Sequence, residues 1–226
     1  MRARPLEVIT ADGERLDADL LVPDRVRGTA VVCHPHPRYG GDRTNPVVTA
    51  LCDAFVGAGL ATVRFDFRGT GRSTGAHGGG VAEHADVLAA LDAALDATRE
   101  ARLAARPEDP DTGGPDAPGP VIVAGYSFGS AVALSLVDPR ITGWVAVALP
   151  LALTDAVPAR ALADGRPVLL VSPEHDQFSP ASAVTAAAAD WPAASVVAVP
   201  MADHFLAGGL RTVAQAAADF AAQAGG

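Results

Sequence analysis

The feature that most constrains this chain is the run VIVAGYSFGSA at 121–131, where a Gly-x-Ser-x-Gly motif joins a strand pattern to a helix pattern. A serine on so sharp a turn takes a strained backbone and projects its Oγ away from the sheet. Gly125 and Gly129 leave room where side chains would collide with the neighbouring strand and helix. The alternative is a turn in which Ser127 only caps the helix. The strand–turn–helix context favours Ser127 as a nucleophile.

Apolar, β-branched runs alternate with helical patterns along the rest of the chain, which predicts βαβ units and a mainly parallel sheet covered on both faces. The first two strands, joined by the turn Ala11-Asp12-Gly13, are the expected antiparallel edge. The predicted strands are 6–10, 16–22, 29–34, 61–67, 121–126, 141–149, 168–172 and 195–199, and the predicted helices are 45–58, 81–106, 127–137, 181–190 and 206–222. Pro107 to Pro120 has neither period and is expected to be a solvated loop.

Length and composition indicate one α/β domain over residues 1–226, because 226 residues with 49% hydrophobic content suit a single large core. The net charge of -9 argues against nucleic acid or an anionic membrane as partner. The N-terminal MRARPLEVIT lacks the apolar stretch of a signal peptide, and the apolar run Trp144–Leu153 is too short to span a bilayer. A cytoplasmic enzyme is expected, with Cys33 and Cys52 as buried free thiols.

A serine nucleophile needs a base to take its proton. Among the six histidines, His204 alone follows the last strand and precedes the last helix, on a connecting loop. We therefore predict His204 as the base.

The third catalytic group is a carboxylate that orients the imidazole. The loop after strand 168–172 carries Glu174 and Asp176. Asp176 is preferred because it lies deeper in the loop, and Glu174 stays open as the rival. The resulting chain order of serine, acid and histidine is the one typical of α/β hydrolases.

An oxyanion hole needs two backbone N–H groups aimed at the developing charge. One is expected from Phe128, the residue after the nucleophile. The other is expected from the loop CHPHPRYGGDRTN at 33–45, in which the prolines cannot donate. Arg38 is the predicted second donor, with Tyr39 as the runner-up.

Two further sets of residues border the predicted site. Arg38, Arg43, Arg68 and Arg72 come from the loops after strands 29–34 and 61–67, and either guide an anionic substrate or are solvated surface arginines. In the second loop, RFDFRGTGRS, Asp66 and the glycines are expected to brace the neighbouring loops. The other set, of apolar residues near strand ends, lines an acyl pocket or belongs to the core: Leu149, Leu151, Leu153, Phe178 and Phe205.

Together these segments resemble the α/β-hydrolase superfamily over essentially the whole chain. The HPHP-x-x-GG loop followed by DFRG-x-G-x-S is most similar to its small, lidless branch, akin to dienelactone-hydrolase-like proteins. The resemblance implies an eight-stranded, mostly parallel sheet without a cap domain, and acyl transfer through a covalent acyl-enzyme. It places the nucleophile, acid and base at Ser127, Asp176 and His204 and favours Arg38 and Phe128 for the oxyanion hole. Dienelactone hydrolase itself uses cysteine, so its lactone substrate is not carried over.

Only Pro150 to Pro167 separates two predicted strands where many relatives insert a cap, so an open site with at most one short helix is expected there. The predicted function is hydrolysis of a small carboxylic ester or thioester, with no metal or organic cofactor. A peptidase, amidase or acyltransferase would use the same triad, and a catalytically silent binding scaffold is the alternative from another class. The sequence does not predict an oligomeric state.

Overall fold

The computed structural model describes residues 3–105 and 119–224. The predicted loop Pro107–Pro120 therefore lies, except for its last two residues, outside the described residues. The strands are β1 (Arg4–Ile9), β2 (Arg15–Leu21), β3 (Gly28–Cys33), β4 (Leu60–Phe65), β5 (Val121–Tyr126), β6 (Gly143–Val147), β7 (Val168–Pro173) and β8 (Ala194–Val199). The helices are α1 (Pro46–Gly57), α2 (Glu83–Ala104), α3 (Phe128–Ser135), α4 (Ala181–Ala188) and α5 (Leu210–Gln223).

The described strands form one eight-stranded sheet in the order β1-β2-β4-β3-β5-β6-β7-β8. β1 pairs antiparallel with β2, and β2 pairs antiparallel with β4. All other neighbouring strands are parallel. The predicted α/β architecture with an antiparallel edge is confirmed.

Helices cover both faces of this sheet and enclose two apolar clusters. On one face, α2, α3 and α4 pack around Phe65, Leu91 and Trp144. On the other face, α1 and α5 pack around Phe55 and Val213. Burial on both faces explains why the central strands read as continuous apolar runs rather than as alternating patterns.

Two predicted helix starts were wrong, for identifiable reasons. α2 begins at Glu83 instead of Val81, where the Glu83 carboxylate accepts the backbone N–H groups of Gly78 and Gly80, each at 2.8 Å. α5 begins at Leu210 instead of Leu206, because Leu206 has a left-handed φ of 58° that a helix does not accept.

The direction in which the chain adds successive strands to the sheet reverses between β3 and β5. From β3 the chain continues to β4 on one side, and β5 lies on the other side. In open α/β sheets a ligand crevice forms at such a switch point, beyond the carboxyl ends of the strands. The loops that follow β3, β5, β7 and β8 all begin at this edge of the sheet.

The segment between β6 and β7 contains two short 3₁₀ helices, Leu151–Asp155 and Arg160–Ala163, where at most one short helix was expected. Both are too short to form a cap domain. The site edge of the sheet is therefore without a lid in this region, as predicted.

Arg43 ties the loop after β3 to the neighbouring elements. Its guanidinium pairs with Asp66 after β4, and its backbone N–H donates to the same carboxylate at 2.8 Å. It also lies 2.9 Å from Asp17 and 3.3 Å from Asp19, both on β2. Burial raises the pKa of the Asp66 carboxyl, and Arg43 opposes that rise. The expected bracing role of Asp66 is confirmed, and Arg43 is its partner.

Arg43→Ala is expected to lower the free energy of unfolding at pH 7 by on the order of 2 kcal/mol, because it leaves the buried Asp66 carboxylate without its cation and removes one of the two arginines that pair with each of Asp17 and Asp19. Urea unfolding measures the loss. Arg72→Ala is the matched control: Arg72 also pairs with Asp17, at 3.0 Å, but its side chain is 81% exposed, so a much smaller loss is expected. Equal losses in the two variants would contradict this account.

His34 connects the ends of β3 and β4 as a neutral imidazole. Its Nδ1 donates to the carbonyl of Pro35 at 2.6 Å, and its Nε2 accepts the backbone N–H of Phe67 at 3.0 Å. Protonation would put a second hydrogen against the Phe67 N–H. Burial accordingly lowers the pKa of His34 to about 4, from an ordinary value of 6.5.

Because the folded pKa of His34 lies below the unfolded value, its contribution to stability is complete above pH 6.5 and is lost as the pH falls towards 4. The loss amounts to at most about 3 kcal/mol. Urea unfolding between pH 7 and pH 4 should show a shallower pH dependence in His34→Gln than in the wild-type protein. His175→Gln, which changes an exposed side chain, should retain the wild-type dependence; an unchanged dependence in His34→Gln would refute the assignment.

Candidate active site

Ser127 stands between β5 and α3 in a strained backbone conformation. Its φ is +52°, in the left-handed region that a serine rarely adopts. The backbone N–H of Ser127 donates to the carbonyl of Val147 on β6 at 2.9 Å, and the Ser130 hydroxyl donates to the Ser127 carbonyl at 2.6 Å. These bonds hold the turn in place, and the Ser127 side chain is left half-buried at the edge of the sheet.

Two glycines make this turn sterically possible. A Cβ on Gly125 would lie 2.2 Å from the carbonyl oxygen of Gly129. A Cβ on Gly129 would lie 2.5 Å from the carbonyl oxygens of both Cys33 and His34. The Gly-x-Ser-x-Gly spacing therefore reflects close backbone packing of α3 against β5 and the end of β3.

His204 lies within hydrogen-bond distance of the serine. Its Nε2 is 2.9 Å from Ser127 Oγ. The loop that carries it is held by the Tyr126 hydroxyl, which donates to the His204 carbonyl at 2.9 Å. Burial raises the pKa of Tyr126 to about 12, so the phenol keeps its proton and remains a donor at neutral pH.

Asp176 lies on the opposite side of the imidazole. Its Oδ2 is 2.8 Å from His204 Nδ1, and its Oδ1 accepts the backbone N–H groups of Phe178 at 2.8 Å and Ser179 at 3.3 Å. A carboxylate acceptor at Nδ1 places the imidazole hydrogen on that nitrogen and leaves Nε2 free to accept the serine proton. The structure thus brings the three predicted residues into one hydrogen-bonded chain.

Glu174, the rival acid, faces elsewhere. Its side chain is exposed, and its Oε2 accepts the backbone N–H of Met201 at 2.8 Å. Glu174 therefore bonds to the loop after β8 that carries His204, whereas the buried Asp176 contacts the imidazole.

The backbone N–H groups expected to form the oxyanion hole differ in whether they already have an acceptor. Phe128 is the first residue of α3, where a backbone N–H has no acceptor within the helix. The Arg38 N–H instead donates to the His36 ring at Nδ1, at 3.2 Å, and the Tyr39 N–H donates to the His36 carbonyl at 3.0 Å. The prediction for Arg38, and its runner-up Tyr39, do not fit these bonds, because both N–H groups are used within a short 3₁₀ turn, Pro37–Tyr39.

His36 is the residue of this loop that the sequence reasoning missed. Gly40 and Gly41 also donate within the loop, and the residues on either side of His36 are prolines. Among residues 35–41 of the described chain, the two prolines have no N–H, and only the N–H of His36 has no acceptor. The signal was present in the HPHP motif: Pro35 and Pro37 have no N–H, and His36 between them does.

Aromatic rings fix Phe128 beside this loop. The rings of His36, His77 and Phe67 lie 4.9, 5.2 and 5.7 Å from the Phe128 ring. His77 Nδ1 is 3.0 Å from the buried carboxylate of Glu83. Burial, followed by the charge of His77, lowers the pKa of His36, which favours the neutral imidazole that accepts the Arg38 N–H.

The hypothesis of an anion-guiding arginine cluster is not supported. Arg43 is engaged as described above, Arg68 pairs with Asp12 and the buried Asp86 at 2.8 Å each, and Arg72 pairs with Asp17. Of the four arginines, only the exposed Arg38 lacks an ion pair within the described residues. Three of the four therefore brace loops and do not present free positive charge.

The apolar residues proposed for an acyl pocket divide into two groups. Leu149 is buried in the core, and Leu151 and Leu153 pack partly buried against it. Phe178 and Phe205 are instead exposed, and their rings lie 4.6 and 5.9 Å from that of His204. These two rings lie beside the imidazole of the hydrogen-bonded chain.

Within residues 3–105 and 119–224, no cluster of His, Cys, Asp and Glu side chains could hold a metal ion. In the same ranges, no helix is long and apolar enough to cross a membrane. Cys33 and Cys52 are both buried free thiols, as predicted.

Comparison with known proteins agrees with this fold. A structure of an α/β serine hydrolase homologue from Coxiella burnetii matches with a TM-score of 0.78 and 26% identity over 97% of this chain and 98% of that one. A serine hydrolase without a lid from Xanthomonas campestris matches with a TM-score of 0.77 and 24% identity over 96% and 92%. An uncharacterized Rickettsia prowazekii protein is 34% identical over 123 residues, which cover 54% of this chain and 44% of that relative, less than half its length.

Residues 26–163 match the hydrolase family model described as serine aminopeptidase, S33. This range contains β3 to β6, the loop after β3 and the turn at Ser127, and it is more than half of the chain. The chain therefore belongs to the S33 serine aminopeptidase family of α/β hydrolases.

Proposed function

We propose that this protein is a serine hydrolase that cleaves a carboxylic ester or thioester through an acyl-enzyme on Ser127. The observation that carries the proposal is the hydrogen-bonded chain from Asp176 through His204 to Ser127 Oγ, at 2.8 and 2.9 Å. Such a chain activates a hydroxyl that is otherwise a weak nucleophile.

The proposed reaction has two halves. His204 Nε2 takes the Ser127 proton as Oγ attacks the acyl carbon, and Asp176 stabilises the imidazolium that forms. His204 then returns the proton to the leaving oxygen or sulfur as its bond to the acyl carbon breaks. Water attacks the acyl-enzyme by the same route and releases the acid.

We further propose that the oxyanion is held by the backbone N–H groups of Phe128 and His36, with His36 taking the place expected for Arg38. Both groups are unpaired within the described residues, and the rings of the two residues are in contact. Losing one donor of such a pair typically lowers turnover by about 10² to 10³.

The peptidase reading is the second candidate, because the family is described as serine aminopeptidase. An aminopeptidase needs a free carboxylate near the site to bind the substrate ammonium. Glu174 and Asp203 are exposed acids on the loops after β7 and β8, called here the acid loop and the base loop, and they accept the backbone N–H groups of Met201 and Phe205. Both side chains are exposed, so neither is held in a buried position as a fixed partner for an ammonium group, which favours esters. Release of the amine from aminoacyl anilides would instead favour the peptidase over the esterase.

Ser127→Ala is expected to reduce hydrolysis of p-nitrophenyl esters by on the order of 10⁶, because it removes the nucleophile itself. Initial rates with acyl chains of increasing length measure the loss and show how long an acyl group the site accepts. Ser182→Ala, at an exposed serine of α4 away from this turn, is the control, and it should retain most of the activity. Equal rates for wild type and Ser127→Ala would contradict the proposed mechanism.

His36→Pro is expected to lower kcat by about 10² to 10³, because proline removes the proposed N–H donor. The His36 φ of -58° already suits proline. His36→Ala is the control that loses the ring but keeps the N–H, and it should lower kcat far less. If the two variants lose kcat equally, the ring matters and the N–H is not the donor.

A further inference from the structure

The exposed aromatic residues of the described chain are concentrated at the site. Tyr39, Phe178 and Phe205 are 88%, 61% and 69% exposed, and the other Phe, Tyr and Trp side chains are buried or half-buried. Tyr39 lies on the loop after β3, Phe178 on the acid loop and Phe205 on the base loop. Isolated exposed apolar residues are ordinary, but a cluster at one site indicates a surface that binds something apolar.

Local hydrogen bonds hold the two phenylalanines in their exposed positions. The Phe178 N–H donates to Asp176 Oδ1, and the Phe205 N–H donates to Asp203 Oδ1 at 3.0 Å. The next residue, Leu206, has a φ of +58° and a fully buried side chain. This strained backbone directs Leu206 into the core while Phe205 faces solvent.

Both rings stand edge-on to the imidazole of His204. The interplanar angles are 70° for Phe178, at 4.6 Å, and 83° for Phe205, at 5.9 Å. The proposed mechanism requires His204 Nε2 to reach the leaving atom and hand it a proton. The groups beside this imidazole therefore border the leaving group, whereas Phe128 and the loop after β3 border the acyl oxygen.

The negative charge beside Phe178 and Phe205 further restricts the kind of leaving group that can bind there. Glu174, Asp203 and the proposed acid Asp176 lie on the two loops that carry the phenylalanines. Carboxylates here disfavour an anionic leaving group such as a phosphorylated thiol. A neutral ring suits two aromatic side chains, because aromatic pairs gain from edge-to-face and offset contacts beyond their buried area.

We propose that Phe178 and Phe205 form the subsite for an aromatic, uncharged leaving group, so that the substrates are aryl esters. This inference rests on the proposed esterase function. The proton on His204 Nε2 passes to the aryl oxygen as the carbon–oxygen bond breaks, and the acyl group stays on Ser127 Oγ. The phenylalanines bind the ring and take no part in the proton transfer, so they determine specificity.

The subsite acts only in acylation, because the aryl alcohol has left before water attacks. Truncation of either ring therefore lowers kcat/KM for aryl esters and leaves the rate of acyl-enzyme hydrolysis unchanged. A general disturbance of His204 would slow both halves of the reaction, so the two effects can be separated.

The test compares 2-naphthyl acetate with phenyl acetate, which share the acyl group and differ in the apolar area of the leaving group. Wild type should prefer the naphthyl ester in kcat/KM. Phe178→Ala and Phe205→Ala should each reduce that preference about three- to tenfold, and the double variant should abolish it. The preference for phenyl butyrate over phenyl acetate, which reports the acyl side, should stay constant. Leu103→Ala, an exposed apolar residue on α2, is the control and should alter neither ratio.

Each other outcome is decisive. If esters are cleaved but the naphthyl preference is unchanged in the double variant, the subsite proposal fails and the esterase proposal stands. If the acyl-length ratio changes instead, the phenylalanines border the acyl group and the subsite has been misassigned. If wild type cleaves esters no faster than Ser127→Ala, the proposed function fails and the subsite with it.

Discussion

The close backbone contact between α3 and the carboxyl end of β3 is the constraint on which the site depends. Gly129 touches the carbonyls of Cys33 and His34 so closely that no Cβ fits, and this contact sets the start of α3 against the loop after β3. The turn at Ser127 and the loop that carries the His36 N–H are thereby brought together. The strain at Ser127, of the order of 1–3 kcal/mol for such a backbone, is sustained by this packing.

Each remaining group at the site is held by a residue that has a second role. Asp176 contacts His204 with one oxygen and fixes Phe178 with the other. Tyr126, the residue before Ser127, holds the backbone of His204 through its hydroxyl. Because the supporting contacts come from neighbouring strand ends, the site is preorganised without a lid. In the reaction that we propose, Phe178 and Phe205 lie beside the leaving group, and an open site of this kind leaves both rings exposed.

The parts of the site that could be predicted from the sequence are those fixed by local pattern. The strand–turn–helix at Ser127, and the placement of Asp176 and His204 after β7 and β8, follow from periodicity and chain order. The choice between Asp176 and Glu174 required side-chain direction. The backbone N–H of Arg38, the expected oxyanion donor, donates to the ring of His36, a contact that no spacing reveals. The partners of Arg43 were equally hidden, because they depend on β2 lying beside β4 in the sheet.

The central claim, that the geometry at Ser127 makes it a reactive nucleophile, is tested most directly by covalent labelling with a fluorophosphonate, followed by mass spectrometry of the native protein and its peptides. The account predicts one adduct per chain on the peptide that contains Ser127, with no adduct in Ser127→Ala or in protein unfolded before exposure. No adduct on the folded wild-type protein, or an adduct that persists in Ser127→Ala, would contradict it.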